Sequence, residues 1–255
     1  MGLVMDCEEK FTAIVKGTRR YFSRAQVKKA VLGVSGGIDS TVTALVLAEA
    51  LGREKVYALY MPLKLKQGDK NLRDALAVTK MSGINFAVFS IGNACSYLAQ
   101  TVWKPTKLAR ANLAARTRMA VLYSFANSKK ALVAGTSNRS ELLLGYFTKH
   151  GDSGSDIMPI ASLYKTEVVK MAKWLGIPRK IIEKKPSAGL WHGQTDEKEL
   201  GLKYEKIDKI LSGKFDHKKS TPELEKEFGK KAVQRVLLLV KKNEHKRKKP
   251  VIIKA

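Results

Sequence analysis

The sequence predicts an α/β fold, a parallel sheet with helices on both faces. Three observations carry that expectation. Ala30, Val31, Leu32 and Val34 form an apolar run that ends in Ser35-Gly36-Gly37, and residues 41–51 follow as an uninterrupted apolar stretch. This reads as a buried strand, a tight turn and a helix. Short apolar runs then alternate with segments of helical spacing, as βαβ units require. Finally, 255 residues of which 44% are apolar suffice for one substantial core.

Taken in order, residues 1–30 carry Phe11, Ile14, Val15, Tyr21, Phe22 and Val27 at helical spacing, a helical lead-in of one helix or a pair. The helix from Ser40 stops at Gly52. Residues 55–61 form the second strand, stopped by Pro62. Residues 64–71 are polar and read as a mobile loop; residues 72–81 return to helical spacing. Residues 85–91 are the third strand, 108–126 a long helix, and 131–134 a fourth strand ending at Gly135-Thr136. Both Ser35-Gly36-Gly37 and Gly135-Thr136-Ser137-Asn138 lie at strand carboxyl ends, where open α/β sheets bind ligands. Neither a linker nor a repeat interrupts residues 1–255, so a single domain with a helical C-terminal part and a basic tail, 241–255, is expected.

The net charge is +25, from 48 basic and 23 acidic side chains. Nucleic acid is the first partner such a charge suggests. The lysines, however, fall in amphipathic pairs such as Lys28-Lys29, Lys129-Lys130 and Lys230-Lys231, with the densest cluster in the tail. A solvated basic face, or a site for polyanionic nucleotides, accounts for this as well as RNA does, and nucleic acid is not the expected partner. No stretch has the length of an apolar membrane span and no secretory signal opens the chain. Cys7 and Cys95 form no Cys-x-x-Cys pair, which argues against zinc and iron–sulfur sites and for a reducing cytoplasm.

The most informative stretch runs from Gly33 through Val34, Ser35, Gly36, Gly37, Ile38 and Asp39 to Ser40. Two glycines let a backbone approach a ligand. The first amides of the following helix lack intrahelical partners and sit at its positive end, where an anion binds. Asp39 adds a carboxylate suited to magnesium beside phosphates. A ligand-free turn is the alternative, which two glycines alone would favour; the whole Ser-Gly-Gly-x-Asp-Ser string favours the phosphate reading. It is neither a Walker A loop nor a dinucleotide fingerprint. It resembles the pyrophosphate-binding loop of the ATP pyrophosphatase superfamily, whose members adenylylate a carbonyl or carboxylate and then admit a nucleophile.

Residues 112–247 add polar strings that packing does not require. These are Asn112-x-x-x-Arg116-x-Arg118, Gly135-Thr136-Ser137-Asn138-Arg139-Ser140-Glu141, Phe147-Thr148-Lys149 with a Gly/Asp loop through Asp156, Lys165-Thr166-Glu167, Pro186-Ser187-Ala188, Asp196-Glu197-x-Glu199-Leu200-Gly201 and His245-Lys246-Arg247. Each has a plain alternative: a solvated helix arginine for Arg116, a dipole-stabilising first-turn carboxylate for Glu141. In this order, over residues 31–250, the strings closely resemble the NAD synthetase family.

That resemblance implies an adenine-nucleotide alpha-hydrolase-like fold, a homodimer, and amidation of nicotinate adenine dinucleotide (deamido-NAD) to NAD with ATP, magnesium and ammonia. It implies that residues 33–40, Thr136, Lys165 and Ser187 contact ATP, and that Asp39 and Glu141 hold Mg2+. Arg116, Tyr123, Lys149, Asp156, His245 and Lys246 are implied contacts to deamido-NAD. Asp39, Lys165 and Asp156 are the implied catalytic residues, Lys165 at the departing pyrophosphate and Asp156 at the ammonia. Residues 64–71 and 184–199 are polar enough to close over the site. Only about thirty residues precede the loop, so no glutaminase domain is expected. Tyr60 stands where an arginine is common in the family, and Ser153 and Ser155 where glycine and alanine are common. The charge suggests one competing reading, an RNA-modifying enzyme with the same loop. The Phe-Thr-Lys and His-Lys-Arg strings argue against it.

Overall fold

A computed structural model describes residues 6–101, 103–187 and 193–253. The lead-in is one helix, α1 (Cys7–Arg24), whose first turn is capped by Asp6 accepting from the Glu9 amide at 2.9 Å. Then β1 (Lys29–Gly33), α2 (Ile38–Leu51), β2 (Val56–Tyr60), α3 (Lys70–Ser82) and β3 (Asn85–Val88) alternate. A short helix, α4 (Gly92–Leu98), and a long one, α5 (Lys107–Lys129), lead into β4 (Ala131–Ala134). The four strands are parallel in the order β3-β2-β1-β4. The chain builds outward from β1 through β2 to β3, then crosses back to set β4 on the other side of β1. That reversal opens a crevice between the carboxyl ends of β1 and β4.

Strand alternation sends side chains to two cores. Ala30 and Leu32 join residues of α1, α2, α3 and α7 (Lys165–Trp174), while Val31 joins Cys95 of α4 and Ala114 and Ala126 of α5. Helices therefore cover both faces, as a parallel sheet requires. Helix α2 is apolar all round because α1, α3, α7 and the sheet enclose it,. The third strand ends at Val88, short of residue 91, and three of its four residues are exposed. Beyond it, the amides of Phe89 and Ile91 still reach Tyr60 and Pro62 carbonyls at 2.9 Å.

The C-terminal half continues as α6 (Arg139–Leu144), α7, α8 (Arg179–Ile182), α9 (Asp196–Leu200), α10 (Tyr204–Phe215), α11 (Thr221–Phe228), α12 (Lys230–Lys242) and α13 (Glu244–Arg247). Leu144, Leu200, Tyr204, Ile207, Leu211, Leu224, Val233 and Val236 make a separate apolar core there. Helix α12 runs on to Lys242, α13 comes at once after it, and regular structure ends at Arg247. Among the described residues, no helix is long and apolar enough to cross a membrane.

Leu47 of α2 is fully buried in the main core. Leu47→Ala is expected to lower the free energy of unfolding by about 2–5 kcal/mol. Urea denaturation with an unchanged m-value is the check.

Candidate active site

The turn after β1 is held by its own hydroxyls. The Gly37 amide donates to Ser35 Oγ at 3.2 Å, and Ser40 Oγ donates to the Gly37 carbonyl at 3.0 Å. Val34 is pinned by its amide to the Leu59 carbonyl at 2.9 Å, and Ile38 is buried in the core. Gly36 has φ +72°, and a Cβ there would lie 2.7 Å from the Asn71 carbonyl oxygen at the start of α3. Both its conformation and its close neighbour require glycine. Gly37 is the N-cap of α2 and offers no side chain to the first-turn amides, so the positive end of this helix is open to an anion.

Beside that turn, three charged side chains from three elements converge. Lys165, the first residue of α7, is 4% exposed. Its Nζ makes an ion pair with Asp39 Oδ2 and lies 3.9 Å from Glu141 Oε1. Burial pulls the ammonium down, but Asp39 and Glu141 reverse this and push it up to about 12. Burial and the neighbouring Asp39 push the Glu141 carboxyl up to about 8, against the pull of Lys165. Asn138 organises the pair. Its Nδ2 donates to Asp39 Oδ1 at 3.0 Å, and its Oδ1 accepts the Glu141 amide at 3.0 Å. Glu141 Oε2 accepts the Asn138 amide at 3.2 Å, closing a capping box on α6,. The Tyr204 ring lies 5.8 Å from Lys165 Nζ, and its hydroxyl donates to buried Asp196 at 3.3 Å. Thr136, half-buried, sits at the end of β4 across the crevice. An anion-ready helix end, two carboxylates and a buried ammonium at one switch point suit reaction of a polyphosphate.

A model of the NAD synthase family matches residues 10–250. The chain belongs to the NAD synthase family. The NH3-dependent NAD+ synthetase of Thermococcus sibiricus is 44% identical, over 97% of this chain and 97% of that protein. Two solved structures are similar along nearly their whole length. The NMN synthetase of Francisella tularensis has a TM-score of 0.86 and 34% identity, covering 98% of this chain and 99% of its own. The NH3-dependent NAD synthetase of Campylobacter jejuni has a TM-score of 0.85 and 31% identity, covering 98% and 100%.

In this NAD synthase family chain the other expected residues fall into two further groups. Arg116 Nε donates to the Lys149 carbonyl at 3.4 Å, and Lys149 Nζ to the His245 carbonyl at 3.0 Å. Lys246 Nζ donates to the Gly145 and Phe147 carbonyls at 2.8 and 3.0 Å. Asp156 lies beside β4, where its Oδ2 accepts the Val133 amide at 2.7 Å and its Oδ1 the Tyr123 hydroxyl at 3.1 Å. Among the described residues, the Asp156 carboxylate therefore bonds to Val133 and Tyr123, not to Lys165. Ser187 is exposed on the segment after α8, and Ala188 lies outside the described residues.

Sequence reasoning passes over several participants. Asn138 lies inside the Gly-Thr-Ser-Asn string but reads there only as a turn residue. Lys184 Nζ joins the Gly36 carbonyl (3.4 Å), Asn71 (2.7 Å) and Asp74 (3.2 Å), tying the segment before Ser187 to the turn and to α3. Its only local signal is its place before Pro186-Ser187. Tyr60 donates to Asp69 Oδ2 at 2.8 Å, and Asp69 is the N-cap of α3. Arg118 donates to the Met61 carbonyl at 2.9 Å.

Because the folded value of Glu141 lies above its ordinary 4.5, the folded state holds the extra proton between about 4.5 and about 8. Stability of the ligand-free protein is therefore expected to fall as pH rises through that interval. Glu141→Gln should flatten the decline, as measured by urea denaturation from pH 5 to pH 8.

Proposed function

We propose that Asp39, Glu141 and Lys165, with the turn at residues 33–40, form the site at which this chain carries out its activity, ammonia-dependent NAD+ synthesis. The observation that carries the reading is the buried Lys165 ammonium held by two carboxylates beside an uncapped helix start. A carboxylate is a poor acyl donor. Attack of the nicotinate carboxylate of deamido-NAD on the α-phosphorus of ATP releases pyrophosphate and leaves an acyl adenylate. Ammonia attacks its carbonyl, AMP departs, and NAD is formed.

Each of these steps draws on residues of the chain. The turn amides and the hydroxyls of Ser35 and Ser40 bind the phosphates. Thr136 and Ser187 contact the rest of ATP. Lys165, whose ammonium form Asp39 and Glu141 favour against burial, offsets charge on the departing pyrophosphate. Asp39 and Glu141 fit Mg2+. They are hard oxygen donors, and Asp39 lies close enough to Glu141 to add to the upward push that burial gives its carboxyl. Among the described residues no group of three or more His, Cys, Asp or Glu could hold a metal. Magnesium needs only one or two carboxylates when phosphates complete its shell. When bound it would polarise phosphoryl oxygens and neutralise their charge.

Arg116, Tyr123, Lys149, Asp156, His245 and Lys246 form the deamido-NAD side, and Asp156 would also orient ammonia. A homodimer is supported by the exposed Phe89, Tyr97, Leu98, Trp103 and Leu108 around α4 and the start of α5, an apolar surface of the kind that marks an interface. The free thiols of Cys7 and Cys95 support a reducing cytoplasm. The similarity to the Francisella NMN synthetase favours one second reading, amidation of nicotinate mononucleotide at the same site.

The test is product analysis with ATP, Mg2+ and ammonium, offering deamido-NAD and nicotinate mononucleotide in parallel. NAD and AMP in equal amounts from the dinucleotide are expected. Preferential formation of NMN would establish the second reading. Asp39→Ala is expected to reduce kcat by about 10²-fold or more, and an active Asp39→Ala enzyme would refute the site.

A further inference from the structure

Helix α7, which begins with Lys165, closes only one arm of its own cap: Glu167 Oε2 accepts the Tyr164 amide at 2.9 Å. Its N-cap residue, Tyr164, makes no side-chain cap hydrogen bond. The orphan amides of the first turn are taken by other elements. The Lys165 amide donates to Ser140 Oγ at 2.9 Å, and the Thr166 amide to Asp208 Oδ2 at 2.8 Å. Ser140 Oγ in turn donates its proton to Asp208 Oδ1 at 2.5 Å. All of this is out of water: Ser140 is 0% exposed and Asp208 4%. Burial raises the Asp208 carboxyl, against the hydrogen bonds from Ser140 and Thr166.

Asp208 belongs to α10, between Ile207 and Ile210 of the second core. Ser140 is the residue before Glu141, and Thr166 the residue after Lys165. One carboxylate thus joins α6, α7 and α10 immediately behind the two groups that face each other at 3.9 Å. We infer that Asp208 is a positioning residue for the reaction: through Ser140 and the Thr166 amide it fixes where Lys165 and Glu141 stand relative to one another.

A buried carboxylate is costly, and a well-packed apolar side chain in its place would often be neutral or stabilising. A cap alone would be supplied more cheaply by Ser, Thr, Asn or Asp at the N-cap itself. What Asp208 provides and a local cap does not is one geometry. Both oxygens are engaged only when α6 and α7 sit in one mutual register, with Ser140 accepting from α7 and donating to Asp208. The inference rests on the proposed roles of Lys165 and Glu141, and it adds a residue that touches no substrate.

The test compares Asp208→Asn and Ser140→Ala with Leu211→Ala, a fully buried apolar position on the same helix. For Asp208→Asn and Ser140→Ala, kcat of NAD formation is expected to fall on the order of tenfold to a hundredfold, the scale of a small misplacement of catalytic groups. KM for deamido-NAD and the calorimetric Kd for ATP should change little. Leu211→Ala should lower Tm and leave kcat unaltered. If Asp208→Asn lowers Tm but keeps kcat, or if Leu211→Ala loses kcat equally, the inference is overturned. Should Asp208→Asn not fold, Ser140→Ala decides on the same criteria. A parallel Lys165→Met enzyme separates the two readings: full activity there refutes the proposed site itself, whereas its inactivity with an active Asp208→Asn refutes only the positioning role.

Discussion

The buried ammonium of Lys165 is the constraint on which the arrangement of the site depends. A lysine that is 4% exposed is held in place by countercharges, and removing one partner of a buried pair typically costs about 3–5 kcal/mol. Its partners come from separate parts of the chain. Asp39 stands in the first turn of the helix after β1 and Glu141 in that after β4. The strand order sets those two helix starts side by side across the switch point. The sheet order therefore has a chemical consequence: it brings two carboxylates together that a cation must reconcile, and α7 supplies the cation.

The same cation explains why the carboxylates can share so small a space. Asp39 and burial together push Glu141 toward its neutral form, and Lys165 opposes them. Asn138 holds each carboxylate by one oxygen, from its Nδ2 to Asp39 and from its own amide to Glu141. Glu141 Oε1 is left facing Lys165. The site thus has oxygens already aimed and a proton donor already charged, so little reorganisation is required when phosphates arrive.

Much of the site was legible in the sequence because its parts are local. The turn at residues 33–40 declares itself within a few residues through glycines and hydroxyls, and Glu141 reads as a first-turn carboxylate, although the bonds Asn138 makes to it and to Asp39 do not show. The strands are legible for the same reason, except β3, whose exposed edge position trims it to Val88. What was not legible is tertiary. Nothing near Asp208 marks it as a cap for a helix start 42 residues earlier. Nor does the tail show that Lys246 reaches the Gly145 and Phe147 carbonyls, because a lysine in a basic cluster reads as a contact to an anionic ligand or to water.

The tail also bears on the net charge of +25. Several basic side chains end on carbonyls at helix C-termini. Arg19 takes Ala50 and Glu49 at the end of α2, Arg235 takes Leu200 and Glu199 at the end of α9, and Arg247 takes Leu143 at the end of α6. Asn243 adds the Leu144 carbonyl, so closely packed that a Cβ on Gly145 would lie 2.2 Å from its own. These carbonyls carry the negative end of each helix and otherwise need water. Part of the basic charge therefore closes helices, which a polyanionic partner is not needed to explain. Helix α6 depends on this closure. Six residues cannot sustain a helix alone; Asn138 closes one end, and the tail closes the other from about a hundred positions away. The carboxylate of Glu141 is thus held in place by the docked C-terminal helices as much as by its own turn.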